Sequence, residues 1–387
     1  MMYQKNNYWK TNSLERKLIM KTKICHISTA HPTFDTRIYH KECRTIAQNG
    51  YDIYLLITND KDEVSDNVKI VHLPKENGRF YRFFKKRKIA FKKAVEIDAD
   101  IYHFHDPELI PVGVKLKKLG KKVIYDVHED VPKQILTKEW LKNDIIRKLV
   151  SNIFNKYEKN AAKNFDKIIC VSEDIAKNFE MNKTVIVRNF PVISDIDSIK
   201  AIDIEKKTPV VIYAGGLTKI RGIKEIIESM AVLKGKAKLW ILGKWENKSY
   251  EEECMKSEGW KYVEYFGLIS QKQAYSYMKK ADVGIVNFWP VDNHVSALPN
   301  KPFEYMACEL PMIMSDFEYW NYVFKDCFLG IDPKNPEDIA RTIHNLLLDK
   351  ELMKQLGENG RNFVLEKYSW ESEGRVLLNA YRELENN

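Results

Sequence analysis

Short apolar runs that alternate with helix-forming stretches constrain this chain more than any other feature. Strands that alternate with helices build a parallel sheet covered on both faces. A first series of strand-like runs lies at residues 23–28 (KICHIS), 52–57, 68–73, 101–105, 122–127, 167–171 and 184–187. Helices are expected between them at about 38–48, 107–119 and 144–164. Between 189 and 208 the pattern lapses into a polar segment without a clear period, the best candidate for a linker. A second series follows, with strands expected at 210–214, 238–242, 263–266, 283–288, 311–314 and 328–331. Helices are expected at 223–233, about 251–256, 271–280, 301–307, 336–347 and 350–366. A final segment, 370–385, reads as an amphipathic helix.

At 387 residues the chain exceeds one typical core, so two α/β domains in tandem with a cleft between them are expected. Residues 1–20 form an extension that lacks the continuous apolar core of a signal peptide, and Met20 is a plausible functional start. The domains are expected at 21–195 and 205–368, with a closing helix over 369–387. Hydrophobic and charged residues make up 44% and 30% of the chain, which argues against extensive disorder. A net charge of +9 points to an anionic partner: a nucleotide, a lipid surface or nucleic acid. No run of about 18 apolar residues is present, so no membrane span is expected. The six cysteines are widely spaced without a C-x-x-C pair, which suits reduced cytosolic thiols better than disulfides or zinc.

Residues 287–316 (NFWPVDNHVSALPNKPFEYMACELPMIMSD) carry the strongest chemical signal. A strand end leads into a loop holding His294 as a cation and Ser296, and a Pro-Asn-Lys-Pro turn at 299–302 opens a short helix. Such a helix N-terminus at the end of a strand is a ready anion site. Pro302 suits the first helical turn and Lys301 lies at its mouth. Glu304 sits one turn in, on an otherwise apolar helix, and needs a partner because an unpaired buried charge is costly. It either favours its own helix dipole or accepts two vicinal hydroxyls. The turn at 213–222 (YAGGLTKIRG) also links a strand to a helix. Gly215 and Gly216 let a ligand approach the backbone, and Arg221 stands at the helix start. Alone, that turn is weak evidence.

These stretches, with HPTFDTRIYHKE (31–42), HFHDPEL (103–109), YDVHED (125–130) and PNKPFEYMACELPMI (299–313), resemble the family 4 glycosyltransferases of the GT-B fold. That family is retaining, mostly uses nucleotide-sugars, and here the likeness is to members of bacterial surface-glycan synthesis. It spans about residues 23–385, and the order and spacing of the motifs are more specific than any one of them. It implies two Rossmann-like domains facing across a cleft, the first binding acceptor and the second donor, with the last helix crossing back to the first. By the resemblance Arg221 and Lys301 hold the diphosphate, Glu304 the ribose, and Gly267 and Leu268 lie by the base. Gly215, Gly216, Ser296 and Asn300 complete the donor side. Two positions depart from the pattern. Ser296 stands where many relatives carry a glutamate toward the donor sugar, and Gly216 replaces a phosphate-binding arginine.

In the first half His128 follows a strand at the carboxyl edge of its sheet, where ligands bind. The resemblance places it beside the donor sugar and the reacting centre. His105 and Asp106 hold the neighbouring edge, and Asp106 either contacts acceptor or caps the helix after Pro107. His31, Asp35 and Arg37 lie in a loop expected to meet acceptor; Asp35 and Arg37 otherwise pair with each other. Residues 79–93 (RFYRFFKKRKIAFKK) hold eight basic residues, five aromatics and no acid. Arg82, Lys85, Lys86, Arg87 and Lys88 are read as contacts to an anionic membrane surface. The alternative is a helix that packs its aromatics and solvates its lysines, and no nucleic-acid motif accompanies the charge. The expected activity moves a sugar from a nucleotide diphosphate sugar to a glycan or lipid-linked acceptor in polysaccharide, lipopolysaccharide or capsule synthesis. The enzyme would be cytoplasmic, at the inner face of the membrane, and no cofactor or metal is expected. A nucleotide-sugar epimerase or phosphorylase of the same architecture, and a non-catalytic partner protein, are the alternatives.

Overall fold

The computed structural model describes residues 21–75, 78, 81–136, 143–295 and 297–386. The N-terminal extension 1–20 and Ser296 lie outside the described residues. The chain divides into two units, one running to Asn189 and completed by Glu373–Asn387, the other formed by Phe190–Ser372.

The first unit holds β1 (Lys23–Ile27), β2 (Asp52–Thr58), β3 (Glu63–Ser65), β4 (Val68–Leu73), β5 (Ile101–Phe104), β6 (Lys122–Val127), β7 (Lys167–Cys170) and β8 (Thr184–Ile186). They form one sheet in the order β3-β4-β2-β1-β5-β6-β7-β8. Every pairing is parallel except that of β3 with β4. The chain starts mid-sheet, winds outward through β2 and β4, then returns to β5 on the far side of β1. The carboxyl ends of β1 and β5 therefore flank a topological switch point, the place where ligands bind in such sheets.

The second unit holds β9 (Val210–Ala214), β10 (Lys238–Leu242), β11 (Val263–Tyr265), β12 (Val283–Val286), β13 (Met312–Ser315) and β14 (Phe328–Ile331). Their order is β11-β10-β9-β12-β13-β14, all parallel, with the switch point between β9 and β12. All five residues of β9 are buried, as a strand covered on both faces requires. The Ile223–Leu233 helix turns Ile223, Ile226, Ile227, Met230 and Leu233 inward. That stripe, spaced by three and four, packs with Val211, Leu239 and Ile241 of the sheet.

The segment expected to be a linker is corrected by the structure. Phe190, Ile193, Ile196 and Ile199 are buried in the second unit's core, and Ile193–Ser198 is helical. Spacing by three hid an apolar face among the polar residues of 189–208. The helix expected from residue 38 opens as a wide π-helical turn, Ile38–Cys43, before becoming α-helical at Arg44–Gln48. The closing helix runs Trp370–Asn386, and its Leu377, Leu378, Tyr381 and Leu384 are buried. All six cysteines are free thiols. Among the described residues no helix is long and apolar enough to cross a membrane.

Candidate active site

At the switch point of the second sheet the loops after β9 and β12 and the Asn300–Ala307 helix enclose a cavity of about 420 Å³. It brings together Gly215, Arg221, Asn300, Lys301 and Glu304 of the residues expected on the donor side. Tyr213, Phe288 and His294 line it as well. Tyr305 fixes the helix to the sheet: its hydroxyl accepts from Ala214 N at 3.1 Å and donates to Ile212 O at 3.2 Å. Pro299 precedes the first turn and no side chain caps that helix, so its N–H groups present positive potential to the cavity.

Arg221 lies over the glycine turn. Its Nη1 would stand 3.0 Å from a Cβ at Gly216 and 3.3 Å from one at Gly215, and its guanidinium is 5.3 Å from the Phe288 ring centre. The glycines therefore admit this arginine as well as a ligand. Gly222 has a φ of 55°, and a Cβ there would meet Asn287 Nδ2 at 2.2 Å. Asn287 Nδ2 donates to Gly222 O at 3.1 Å and to Pro333 O at 3.0 Å, which sets the helix start that carries Arg221. Glu304 is buried and ion-pairs with Lys301, the partner that its place on an apolar helix demanded. His294, read from sequence as a cation, is corrected. Burial lowers its pKa, the bond to Trp289 O opposes that, and the Arg221 charge lowers it further. Gly267 and Leu268 do not line the cavity; they follow β11 at the sheet edge, where Leu268 is exposed.

In the first unit the structure separates the expected acceptor residues into two groups. His31, Asp35 and His128 reach the surface, with side-chain exposures of 30%, 17% and 15%. Arg37, His105 and Asp106 are buried and face other side chains, which corrects their reading as surface contacts. Asp106 caps no helix. Its Oδ2 accepts from Ser28 Oγ at 2.9 Å, Thr29 N at 2.5 Å and Ala30 N at 3.2 Å, holding the loop after β1 to the end of β5. Arg37 leaves Asp35 with only its backbone N–H, 2.8 Å from Oδ1. Its guanidinium turns to Asp126 at 3.2 Å, Glu42 at 2.9 Å and Val187 O at 2.9 Å. Of the expected membrane contacts, Lys86 is buried and donates to Thr29 O at 3.1 Å and to Thr58 Oγ1, again a correction. Arg82 pairs with Glu108 at 2.7 Å, while Lys85 and Lys88 are exposed and Arg87 is half-buried.

Behind His128 lies a buried network that the sequence did not announce. Burial would raise the Asp126 carboxyl, but Arg37 and the surrounding histidines hold it well below the usual range, so Asp126 is an acceptor. His128 Nε2, at 3.0 Å, and His105 Nδ1, at 3.2 Å, therefore donate to it. Burial keeps His26, His103 and His105 neutral, which fixes their remaining nitrogens. His105 Nε2 accepts from His26 Nδ1 at 2.9 Å, and His26 Nε2 accepts from Tyr381 at 2.8 Å. The Tyr381 oxygen accepts from His103 Nδ1 at 2.6 Å. One polarised chain thus runs from the closing helix to Asp126, and His128 Nε2 meets that carboxylate from the surface side. Burial pushes Glu42 well above the carboxylate range, so charge here balances as one guanidinium against one carboxylate.

His26, Glu42, His103 and His105, and separately His105, Asp126 and His128, place ligand-type atoms within 4.8 Å of one another. Most of these nitrogens are already engaged in the chain just described. His103 Nε2 and the Glu42 oxygens make no hydrogen bond, though Glu42 stays within ion-pair reach of Arg37.

The neutral histidines carry a pH dependence. Their folded pKa values lie below the ordinary 6.5, so the unfolded chain binds more protons in acid. Their stabilisation is present above that value and is lost as pH falls. The Asp126 contribution disappears in the same direction, below the carboxylate range. His31 acts oppositely. Burial alone would lower its pKa, but Asp35 and Asp106 raise it, so its contribution is lost as pH rises through the folded value. Denaturant unfolding from about pH 7 to about pH 5 is expected to show stability falling by up to about 1.4 kcal/mol per pH unit for each buried histidine. A flat profile would contradict the assignment.

Comparison with known proteins bears on the family and the fold. Residues 36–189 match the family described as "Glycosyltransferase Family 4", and residues 195–363 that described as "Glycosyl transferases group 1". An uncharacterized glycosyltransferase of Methanocaldococcus jannaschii is 25% identical, over 87% of this chain and 91% of its own. A second from the same organism is 26% identical over 47% of each. Among solved structures, sucrose-phosphate synthase from Thermosynechococcus elongatus superposes with a TM-score of 0.72 at 18% identity, covering 94% of this chain and 99% of that one. Anabaena HepE in complex with UDP gives 0.69 at 10% identity, covering 94% and 100%. The chain is a glycosyltransferase of the group 1 type, and its fold is GT-B, two Rossmann-like domains.

Proposed function

We propose that this enzyme transfers a hexosyl or N-acetylhexosaminyl group, with retention of configuration, from a nucleotide diphosphate sugar to a hydroxyl of a glycan or lipid-linked glycan. The setting is bacterial surface polysaccharide, lipopolysaccharide or capsule synthesis at the inner face of the cell membrane. The observation that carries the donor reading is the cavity where Arg221, Lys301 and an uncapped helix start converge beside a buried carboxylate. Donor binding exchanges the partners of the Lys301–Glu304 pair: the ammonium meets phosphate and the freed carboxylate accepts two ribose hydroxyls. Anabaena HepE has also been solved in complex with UDP-glucose, which supports a nucleotide-sugar here.

Catalysis is electrostatic. Arg221, Lys301 and the helix N-terminus stabilise negative charge growing on the leaving diphosphate, which itself helps take the acceptor proton. His128, whose Nε2 lies 3.0 Å from Asp126 Oδ2, is assigned to the catalytic group, and His31 and Asp35 to the acceptor. No step is routed through a metal, and Ser296, outside the described residues, stays assigned to the donor sugar. The test is proton NMR of the product formed in the presence of EDTA. An unchanged rate and a retained anomer are expected; an inverted anomer or a rate abolished by EDTA overturns the mechanism.

A further inference from the structure

The Asp144–Ala162 helix carries an exposed apolar stripe among the described residues of the first unit. Asn143 caps it, its side chain accepting from Ile145 N and Ile146 N. Ser151, Glu158 and Ala162 face inward, and Tyr125 of β6 donates to Glu158 at 2.7 Å. On the opposite side Ile145, Leu149 and Ile153 are 76%, 58% and 62% exposed, and Ile146, Val150 and Tyr157 extend the stripe. Exposed aliphatic side chains on successive turns of one helix mark an interaction surface.

Charge identifies the occupant. Along one flank of the stripe runs a groove of about 490 Å³ lined by Lys156, Lys159, Lys163 and Lys183. Lys183 pairs with Glu180 at 3.7 Å; the other three have no carboxylate partner among the described residues. Arg87, from the basic helix, stands near enough to Tyr157 for its charge to act on the phenol. The same stretch leaves Phe83 and Phe84 exposed.

We infer that this face docks on an anionic lipid surface, the stripe of the Asp144–Ala162 helix entering the headgroup boundary and the lysine groove receiving lipid phosphates. An apolar helix face edged by lysines has the chemistry of an interfacial helix. A second copy of this chain is the poorer occupant, because a two-fold contact sets each lysine row against its own like charges. The inference rests on the membrane-surface reading of the enzyme, and it moves the contact from residues 79–93 to a larger face that includes their edge.

The test is co-sedimentation with vesicles of phosphatidylglycerol and phosphatidylcholine in equal parts, and with phosphatidylcholine alone. The full chain is expected to bind only the anionic vesicles. Ile145→Glu with Ile153→Glu should weaken vesicle binding at least about a hundredfold, and Lys156→Gln with Lys159→Gln and Lys163→Gln about a hundredfold. All five positions lie outside the donor cavity, so nucleotide-sugar binding by calorimetry should not change, and its failure would be separate from failure here. Absence of binding to anionic vesicles, or equal binding by wild type and variants, overturns the inference. So does a dimer in sedimentation equilibrium that Ile153→Glu dissolves, since a second copy would then cover the stripe.

Discussion

Lys301→Ala is expected to lower kcat by about two to three orders of magnitude, the scale on which single electrostatic stabilisers of a transition state act. Before the donor arrives the ammonium is paired with Glu304 at the mouth of the Asn300–Ala307 helix. On the proposed function it meets a diphosphate whose charge grows as the glycosidic bond breaks. An interaction that strengthens toward the transition state appears in kcat rather than only in KM. The substitution leaves Glu304 without its ammonium, costing about 1 to 3 kcal/mol of stability against a total of about 5 to 15, so the variant stays folded. Steady-state kinetics at saturating donor, with circular dichroism as the control, decide the matter. Wild-type turnover in a folded Lys301→Ala protein would remove Lys301 from the chemistry.

The largest effect on stability is expected from Arg37→Met. The guanidinium is buried against Asp126 and Glu42, and with Glu42 held neutral it balances one charge. Removing it leaves the Asp126 carboxylate in the interior among neutral histidines. Breaking one side of a buried pair costs about 3 to 5 kcal/mol, a large share of the stability of most domains. Urea unfolding should show that loss in the first unit. A change within about 0.5 kcal/mol, as surface substitutions give, would mean that Arg37 is not the counter-charge.

Much of the fold was legible in the sequence. Strands buried on both faces are nearly continuous apolar runs, and Lys122–Val127, Val210–Ala214 and Lys238–Leu242 lie where those runs do, while Val68–Leu73 shows as an alternating strand. The short edge strand Glu63–Ser65 was not legible, because a polar edge lacks any burial pattern. The second unit's site was readable since its parts follow one another along a turn and a helix. The first unit's buried network was not, because its charges pair across strands far apart in sequence. One signal was present: His103 and His105, like Asp126 and His128, are two residues apart at a strand end, and so share one face of the sheet. Register then sets His26 opposite His103. Read singly, His105 and His128 looked like ligand contacts; with His26, His103 and Asp126 they form one buried network.

Isothermal titration of UDP-, GDP- and ADP-sugars into the wild-type chain and into an Arg221→Ala, Lys301→Ala variant decides whether the cavity of the second unit holds the donor. One nucleotide-sugar is expected to bind the wild type and to lose about a hundredfold or more in affinity with both cations gone, each charged hydrogen bond contributing about 1.5 to 3 kcal/mol. If none of the three binds the wild type, or the variant binds as tightly, the cavity between β9 and the Asn300–Ala307 helix is not a donor site.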